Sequence, residues 1–171
     1  MPRTVAITEG LGYEEARFET STIESYASAE PVDLLVSLHA CDTATDEAIA
    51  AGVRLEAAAI VVAPCCHHEL AAQIASRPPN ALLRHGLLLA RQADLVTDAL
   101  RAAALETRGY RVDVIEFVSA EHTAKNLMLR AERDPSPAWA RRALAEYREL
   151  RDAYGVDPAI GRLLGGWLAL E

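Results

Sequence analysis

Residues Leu35 to Gly52 read LVSLHACDTATDEAIAAG, and this stretch decides the fold of the chain. It begins inside a nearly continuous apolar run, Pro31 to Leu38, which is typical of a strand buried on both faces of a sheet. The polar residues after the run predict a helix start, because Thr43 or Thr45 can cap a helix and acidic residues suit its first turn. Glycine at position 52 suits the end of that helix. The stretch therefore predicts a strand followed by a helix, the repeating unit of an α/β protein.

A second stretch, AAAIVVAPCCHHEL from Ala57 to Leu70, repeats this pattern. Its apolar run predicts a second buried strand that Pro64 ends, and a helix follows. Consecutive buried strands are usually neighbours, and open α/β sheets bind ligands beyond the carboxyl ends of their strands. The sequences HACD (39–42) and PCCHH (64–68) should therefore lie side by side at the mouth of a pocket.

The remainder of the chain predicts a long helix, an antiparallel hairpin and a helical C-terminus. The loop between the last two strands is too short for a helical crossover, which makes those strands antiparallel. Together the elements predict an α/β sheet covered by helices on both faces. The predicted elements are a helix ending near Gly10 and Gly12, a short strand within 16–23, a helix over 91–110, strands over 110–118 and 126–132, and helices from 139 to 154 and beyond 158.

Size and charge limit the classes of function. The chain has 171 residues and a formal net charge of −8, which counts against non-specific nucleic-acid binding. It shows neither a membrane-length apolar stretch nor the pattern of a signal peptide, and three clustered cysteines do not make a disulfide framework. These features predict a cytoplasmic protein with no membrane partner.

The histidines and cysteines after the two strands leave two further chemistries open. A zinc site would draw on residues whose pattern only loosely matches the H-x-E…P-C-x-x-C motif of zinc deaminases. Successive strand residues point to opposite faces, so adjacent cysteines share an ion only if the chain turns there. A cysteine nucleophile would need a base from elsewhere, His39 or His122. Against both stands simple packing, since free cysteine behaves as a small hydrophobe. The ligand-type residues are His39, Cys41, Cys65, Cys66, His67 and His68.

Two other polar groups are interpreted as solvated surface. Charged residues spaced along the long helix predict an exposed stripe of ion pairs. The hairpin loop is expected to carry polar residues simply because it is exposed to solvent. The first group is Arg91, Asp94, Asp98 and Arg101, and the second is Glu121, His122, Lys125 and Asn126.

Four ordered motifs, VDLLVSLHACDTATDEAI, IVVAPCCHHEL, LLRHGLLLARQADLVTDALR and GYRVDVIEFVSAEHTAKNLMLRA, resemble the C-terminal part of class I S-adenosylmethionine-dependent methyltransferases. More narrowly, they are similar to the methyltransferase-domain family with LHACD and PCC segments, whose eukaryotic relatives include tRNA ribose methyltransferases. The resemblance covers roughly residues 12–133. It implies a Rossmann-like three-layer sandwich with sheet order 3-2-1-4-5-7-6 and strand 7 antiparallel. The strands of this chain would be strand 3 (17–20), strand 4 (33–38), strand 5 (59–63), strand 6 (111–118) and strand 7 (126–130).

The resemblance also implies roles for individual residues. S-adenosyl-L-methionine would be the cofactor, and the chemistry would assign a base or acceptor-orienting role to His39, with Asp42 fixing its environment. No residue is assigned to a metal. The cofactor-binding residues would be Ser21, Thr22, Ile23, Leu38, His39 and Ala40, and the substrate pocket would be lined by Cys41, Pro64, Cys65, Cys66 and His67.

The glycine-rich loop after strand 1 and the acidic end of strand 2 have no counterpart in this sequence. The resemblance therefore predicts an N-terminally truncated copy, with a partial methyltransferase domain at 1–133 and a helical extension at 134–171 packed on it. Strand 4 would lose its neighbour and expose an edge, which predicts either a homodimer through that edge or a poorly ordered N-terminus. Strand 3 could also pair directly with strand 4, because residues 21–32 are about as long as a parallel crossover requires. The leading function is a methyltransferase acting on a small molecule, protein or RNA, and the alternatives are a non-catalytic binding or assembly module and a zinc-binding protein.

Overall fold

The structure, a computed structural model, describes residues 2–13, 15–134 and 139–165. Within these ranges the chain forms a four-stranded sheet and a set of helices. In chain order the elements are α1 (Pro2–Gly10), β1 (Leu34–Leu38), α2 (Thr43–Arg54), β2 (Ala59–Ala63), α3 (His68–Ala75), α4 (Gly86–Thr107), β3 (Tyr110–Glu116), β4 (Leu127–Arg133), α5 (Ala140–Tyr154) and α6 (Ala159–Leu164).

The strands are arranged in the order β1-β2-β4-β3. β1 and β2 are parallel, and β4 is antiparallel to both of its neighbours. This is the arrangement that the resemblance implies for strands 4, 5, 7 and 6. The predicted class, a partial Rossmann-like α/β fold, is therefore confirmed.

The hydrophobic core lies on one face of this sheet. Leu35, Ile60 and Ala131 are paired across β1, β2 and β4, so their side chains point to the same face. Ile60, Val62, Leu129 and Ala131 on this face are fully buried, and α2 and α4 pack against the strands that carry them. The opposite face has no buried residue among the described strands. Its residues are Leu34, Val36, Leu38, Ala59, Val61, Ala63, Arg111, Asp113, Ile115, Met128, Arg130 and Glu132. The expected third layer is thus not found in the described part of the chain.

The predicted strand 3 is the element that the structure does not contain. Residues 17–20 are irregular, and the described chain has no strand beyond β1 with which they could pair. A single short strand has no stability of its own, since its backbone groups need a partner to replace water. The prediction of a strand in this segment was therefore wrong.

Glycine at position 52 sets how closely α2 approaches the sheet. A Cβ added there would lie 2.7 Å from Cδ1 and 2.8 Å from Cγ1 of Ile60. Its φ is negative, so the reason for glycine is the close approach of helix and strand and not the backbone conformation. This contact fixes α2, and with it the loop that joins β1 to α2.

The C-terminal helices pack on the same core, α5 against α4 and α6 against α2. Tyr147 of α5 and Ile160 of α6 are buried there. The division of the chain at residues 133 and 134 stays a prediction. Among the described helices, none is both long enough and apolar enough to cross a membrane.

Candidate functional site

The loops that follow β1 and β2 meet at one edge of the sheet. The two strands end in register, with Leu38 opposite Ala63. We call residues 39–42 the first tip loop and residues 64–67 the second tip loop. The Sγ atoms of Cys41 and Cys65, one from each loop, are 3.7 Å apart. The loops are therefore neighbours, as the sequence predicted.

The first tip loop has an unusual backbone that its surroundings hold in place. His39 and Asp42 have φ angles of 60° and 55°. Residues with a Cβ avoid this left-handed region, at a cost of about 1–2 kcal/mol each. The loop is held by two further contacts: Thr45 Oγ1 donates to the carbonyl of Ala40 at 2.6 Å, and Arg101 Nη2 donates to the carbonyl of Asp42 at 2.9 Å.

Asp42 also connects the two tip loops. Its Oδ1 accepts a hydrogen bond of 3.0 Å from the backbone N–H of Glu69, in the first turn of α3. His67, at the N-cap position of α3, makes no capping bond with its own side chain. Asp42 therefore supplies, from another loop, the acceptor and negative charge that a helix N-terminus favours. The imidazole of His39 is exposed at the same edge, and the catalytic roles of His39 and Asp42 stay predictions.

Three cysteine sulfur atoms converge at the tips. Cys65 Sγ is 3.7 Å from Cys41 Sγ and 3.7 Å from Cys66 Sγ, and all three lie within 4.8 Å of one another. β2 ends at Ala63, and beyond it the side chains of the adjacent Cys65 and Cys66 face the same way, since their sulfur atoms are 3.7 Å apart. The expected obstacle to Cys65 and Cys66 sharing one site is thus removed.

The environment of Cys65 argues against this residue as a nucleophile. Burial, together with hydrogen bonds to Cys41 and Cys66, raises the pKa of the Cys65 thiol to about 11. The thiolate is the reactive form, and it is scarce at neutral pH when the pKa is raised.

His67, predicted to line the substrate pocket, is buried between two carboxylates. Its Nε2 lies 2.9 Å from Asp98 Oδ1 and its Nδ1 lies 2.9 Å from Asp94 Oδ1. Lys125 Nζ contacts the other oxygen of Asp94. Both ring nitrogens are therefore occupied, which makes His67 an anchor for the second tip loop.

Arg101 extends this network to α2. Its Nε and Nη2 bind Asp46 in a two-point arrangement at 2.9 and 2.7 Å, and its Nη1 lies 3.2 Å from Asp98. The side chain of Arg101 is 1% exposed. The predicted exposed stripe on α4 was therefore wrong for Asp98 and Arg101. The spacing of Asp98 and Arg101 already indicated burial, because both positions lie among the core residues of the helix. These core residues are Ala93, Val96, Leu100, Ala104 and Leu105.

The hairpin loop also contributes more than a solvated surface. Asn126 is buried and donates from Nδ2 to Glu116 Oε1 at 2.7 Å and to the carbonyl of Val118 at 2.9 Å. With Lys125 it borders a cavity of about 180 Å³ that Pro64 and His67 also line. The prediction of solvation was thus wrong for Asn126, and two of the predicted pocket residues face this cavity.

The predicted cofactor residues fall into two groups along β1. Ser21, Thr22 and Ile23 line a cavity of about 260 Å³ together with the β1 residues Leu35, Val36 and Ser37 and two alanines of α2. Leu38, His39 and Ala40 come next along the chain, at the end of β1 and in the first tip loop. The two groups are thus placed in sequence along one strand, and their role in binding stays a prediction.

Residues 2–73 match a protein family described as a methyltransferase domain. The match covers less than half of the chain, but it includes β1, α2, β2, both tip loops and every residue predicted for the cofactor, catalysis or the substrate pocket. A search of curated proteins and a search of solved structures gave no match.

Proposed function

We propose that the chain transfers a methyl group from S-adenosyl-L-methionine to an acceptor at the tip loops, because residues 2–73 match a family described as a methyltransferase domain. The observation that carries the proposal is the position of the matched segment, which contains both tip loops and the cavity residues beside β1. Methyl transfer from a sulfonium asks the protein mainly to align donor and acceptor. Loops fixed by the contacts of Asp42 suit that task.

The cavity beside β1 suits the nucleoside part of the cofactor. Ile23, Leu35 and Val36 offer apolar surface for the faces of a purine, while Ser21, Thr22 and Ser37 offer hydroxyl groups for its polar edges. Its volume of about 260 Å³ is slightly below the usual range for ligand sites, so the rest of the cofactor would extend from it. We place the methionine part toward Leu38, His39 and Ala40, at the end of the same strand.

When bound, the cofactor supplies an electrophilic methyl group, and the residues of the tip loops would handle the acceptor. His39 is exposed at this edge and can take a proton from an acceptor hydroxyl or amine. We assign the cysteines of the tips to the wall of the acceptor pocket. His67 positions the second tip loop through its two carboxylate partners. The acceptor class that we propose is a small molecule, a protein or an RNA.

Calorimetric titration with S-adenosyl-L-methionine tests cofactor binding. We expect micromolar binding by the wild-type chain. A Thr22→Trp substitution, which fills the cavity beside β1, should weaken binding at least about tenfold, or about 1.4 kcal/mol. The matched control is Thr123→Trp, since Thr123 is an exposed threonine of the hairpin loop and lines none of the described cavities near β1. Equal binding by the two variants would remove the cofactor from this cavity.

A pair of histidine variants tests the proposed base. His39→Asn keeps a residue that tolerates a positive φ and removes the imidazole, so cofactor binding should persist while formation of S-adenosylhomocysteine with an acceptor falls by about 100-fold or more. His68→Asn, at an exposed position after the second tip loop, is the control. The same loss in both variants would contradict a base at position 39.

The alternative is a non-catalytic α/β module that binds or assembles with another protein. One observation favours it: the sequence before β1 has no glycine-rich loop of the kind that holds the cofactor in this class of enzymes. Absence of cofactor binding at millimolar concentration would support this alternative.

We also propose a homodimer through the free edge of β1. In the described chain β2 is the strand paired with β1, and no strand pairs with the second edge of β1. Val36 also lines the cavity proposed for the cofactor, so pairing at this edge and cofactor binding would compete for the same surface. Leu34, Val36 and Leu38 are 54%, 52% and 60% exposed next to that edge. Two copies of β1 related by a two-fold axis at Val36 would pair Val36 with itself and Leu34 with Leu38 of the other copy, as an isologous interface requires.

A further inference from the structure

The three cysteines of the tip loops have the spacing of metal ligands. In a tetrahedral zinc site with Zn–S bonds of about 2.3 Å, the sulfur atoms are about 3.8 Å apart. The two close sulfur pairs here, Cys41 with Cys65 and Cys65 with Cys66, are each 3.7 Å apart. One ion can therefore reach all three sulfur atoms without a large movement of the chain.

The backbone that carries the cysteines is held by contacts that do not involve sulfur. The first tip loop is fixed by the bonds of Asp42 to Glu69 and Arg101. The second tip loop is fixed by His67, whose ring nitrogens are taken by Asp94 and Asp98. This pre-organisation lowers the cost of gathering the ligands, and it removes His67 from the list of metal ligands.

We propose that Cys41, Cys65 and Cys66 bind one Zn²⁺ ion, and that the fourth coordination position is open to water or a small external ligand. Zn²⁺ prefers four-coordinate sites rich in thiolate and imidazole. Among the described residues, no fourth histidine, cysteine or carboxylate joins the three sulfur atoms. Cys41 is exposed, so the open position can be reached from solvent. The site uses the cysteines that we assign to the wall of the acceptor pocket, but its tests measure metal binding and do not depend on methyl transfer.

Zinc and cobalt binding by the reduced full-length chain tests the site. The protein is stripped of metal, and bound Zn²⁺ is measured after equilibrium dialysis. We expect one Zn²⁺ per chain. With Co²⁺ as a probe, we expect the visible bands of a tetrahedral complex and a thiolate-to-cobalt charge-transfer band in the near ultraviolet.

Substitutions identify the ligands. Cys65→Ser should lower Zn²⁺ affinity by more than the roughly 100-fold that outer-sphere partners contribute, and Cys41→Ser, at an exposed position, gives the same loss with little risk to folding. His68→Asn is the matched control and should bind like the wild type. Circular dichroism verifies that each variant is folded.

Oxidation to a disulfide competes with metal binding by these thiols. It would require the sulfur atoms of Cys41 and Cys65 to approach to about 2.0 Å. Zinc should protect all three thiols from a thiol reagent. The proposal is overturned if the reduced wild type binds less than stoichiometric Zn²⁺ at micromolar concentration. It is also overturned if the Co²⁺ complex lacks the charge-transfer band, or if His68→Asn loses binding as Cys65→Ser does.

Discussion

Arg101 is a buried charged side chain. A complete set of hydrogen-bond partners offsets the free-energy cost of removing its guanidinium from water. It donates to both oxygens of Asp46, to Asp98 and to a backbone carbonyl of the first tip loop. A buried ion pair of this kind adds little stability over an apolar replacement of both partners, but breaking it leaves a charge without compensation. The arrangement therefore fixes the positions of α2, α4 and the tip loops relative to one another.

Arg101→Met tests this role. The variant leaves Asp46 and Asp98 buried and without the guanidinium, so the free energy of unfolding should fall by about 3–5 kcal/mol. Urea unfolding followed by circular dichroism measures the change. The control is Arg111→Met, because the pair of Arg111 with Glu132 is about half exposed and should contribute less than about 1 kcal/mol. A similar small loss in both variants would contradict a structural role for the buried network.

Glu106 on α4 gives a prediction about pH. Burial raises the pKa of its carboxyl group, and Glu146 adds to the rise while Arg142 opposes it. A folded-state pKa above the unfolded value means that the contribution to stability is present below the unfolded value of about 4.5 and is lost as pH rises through the folded pKa. Glu106→Gln should therefore raise the free energy of unfolding at pH 7 by less than about 1 kcal/mol, with a corresponding rise in the melting temperature. At pH 4 both quantities should be nearly unchanged. A larger gain at pH 4 than at pH 7 would contradict this sign.

At the scale of elements, the contact between α2 and β2 depends on the missing side chain of Gly52. Gly52→Ala would place a Cβ against Ile60, which is fully buried and has no free space to move into. Overpacking should cost about 1–3 kcal/mol, and the better helix propensity of alanine returns up to about 1 kcal/mol. We expect a net loss of about 1–2 kcal/mol in the free energy of unfolding.

A second substitution checks the cause of that loss. Ile60→Ala removes both Cδ1 and Cγ1, the atoms that the new Cβ would meet at 2.7 and 2.8 Å. It should cost about 2–5 kcal/mol in the wild type and less in the Gly52→Ala variant, a coupling that a double-mutant cycle measures. Additive effects would show that the contact with Ile60 is not the reason for glycine at position 52.

Local patterns in the sequence predicted the regular elements well, because apolar runs and terminating residues are local signals. Pro64 ends β2 at Ala63, and the two parallel strands lie within one residue of their expected bounds. Two features depend on distant partners and were not predicted. Residues 17–20 lack a neighbouring strand, and the charges of Asp98 and Arg101 are buried because Asp46 and His67, far along the chain, meet them. The meeting of the tip loops was predicted from parallel pairing, whereas the convergence of three sulfur atoms depends on the conformation of the second tip loop beyond the end of β2.

At the scale of the molecule, the surface is large for the mass. The accessible area is 10354 Å², whereas a compact protein of 18.5 kDa exposes about 8,200 Å². The uncovered face of the sheet and the free edge of β1 contribute to this excess. Surface of this kind is available for association with a second copy.

Val36→Lys tests the proposed dimer. A lysine at the centre of β1 would put two like charges together across the two-fold axis, and edge lysines oppose strand pairing. Light scattering coupled to size exclusion should report a dimer for the wild type and a monomer for this variant. Val114→Lys is the matched control, since Val114 is 53% exposed on β3, the strand at the other edge of the sheet. A wild type that is monomeric at every accessible concentration would contradict the dimer.

The solvent-exposed face of the sheet also affects the heat capacity change of unfolding. Heat capacity rises on unfolding in proportion to the apolar area newly hydrated, about 12–15 cal/mol/K per residue, or about 2.1–2.6 kcal/mol/K for a chain of this length. Here the strand residues opposite the helices are already partly hydrated in the native state. Scanning calorimetry of the monomer should therefore give an increment below that range, and a flatter dependence of stability on temperature.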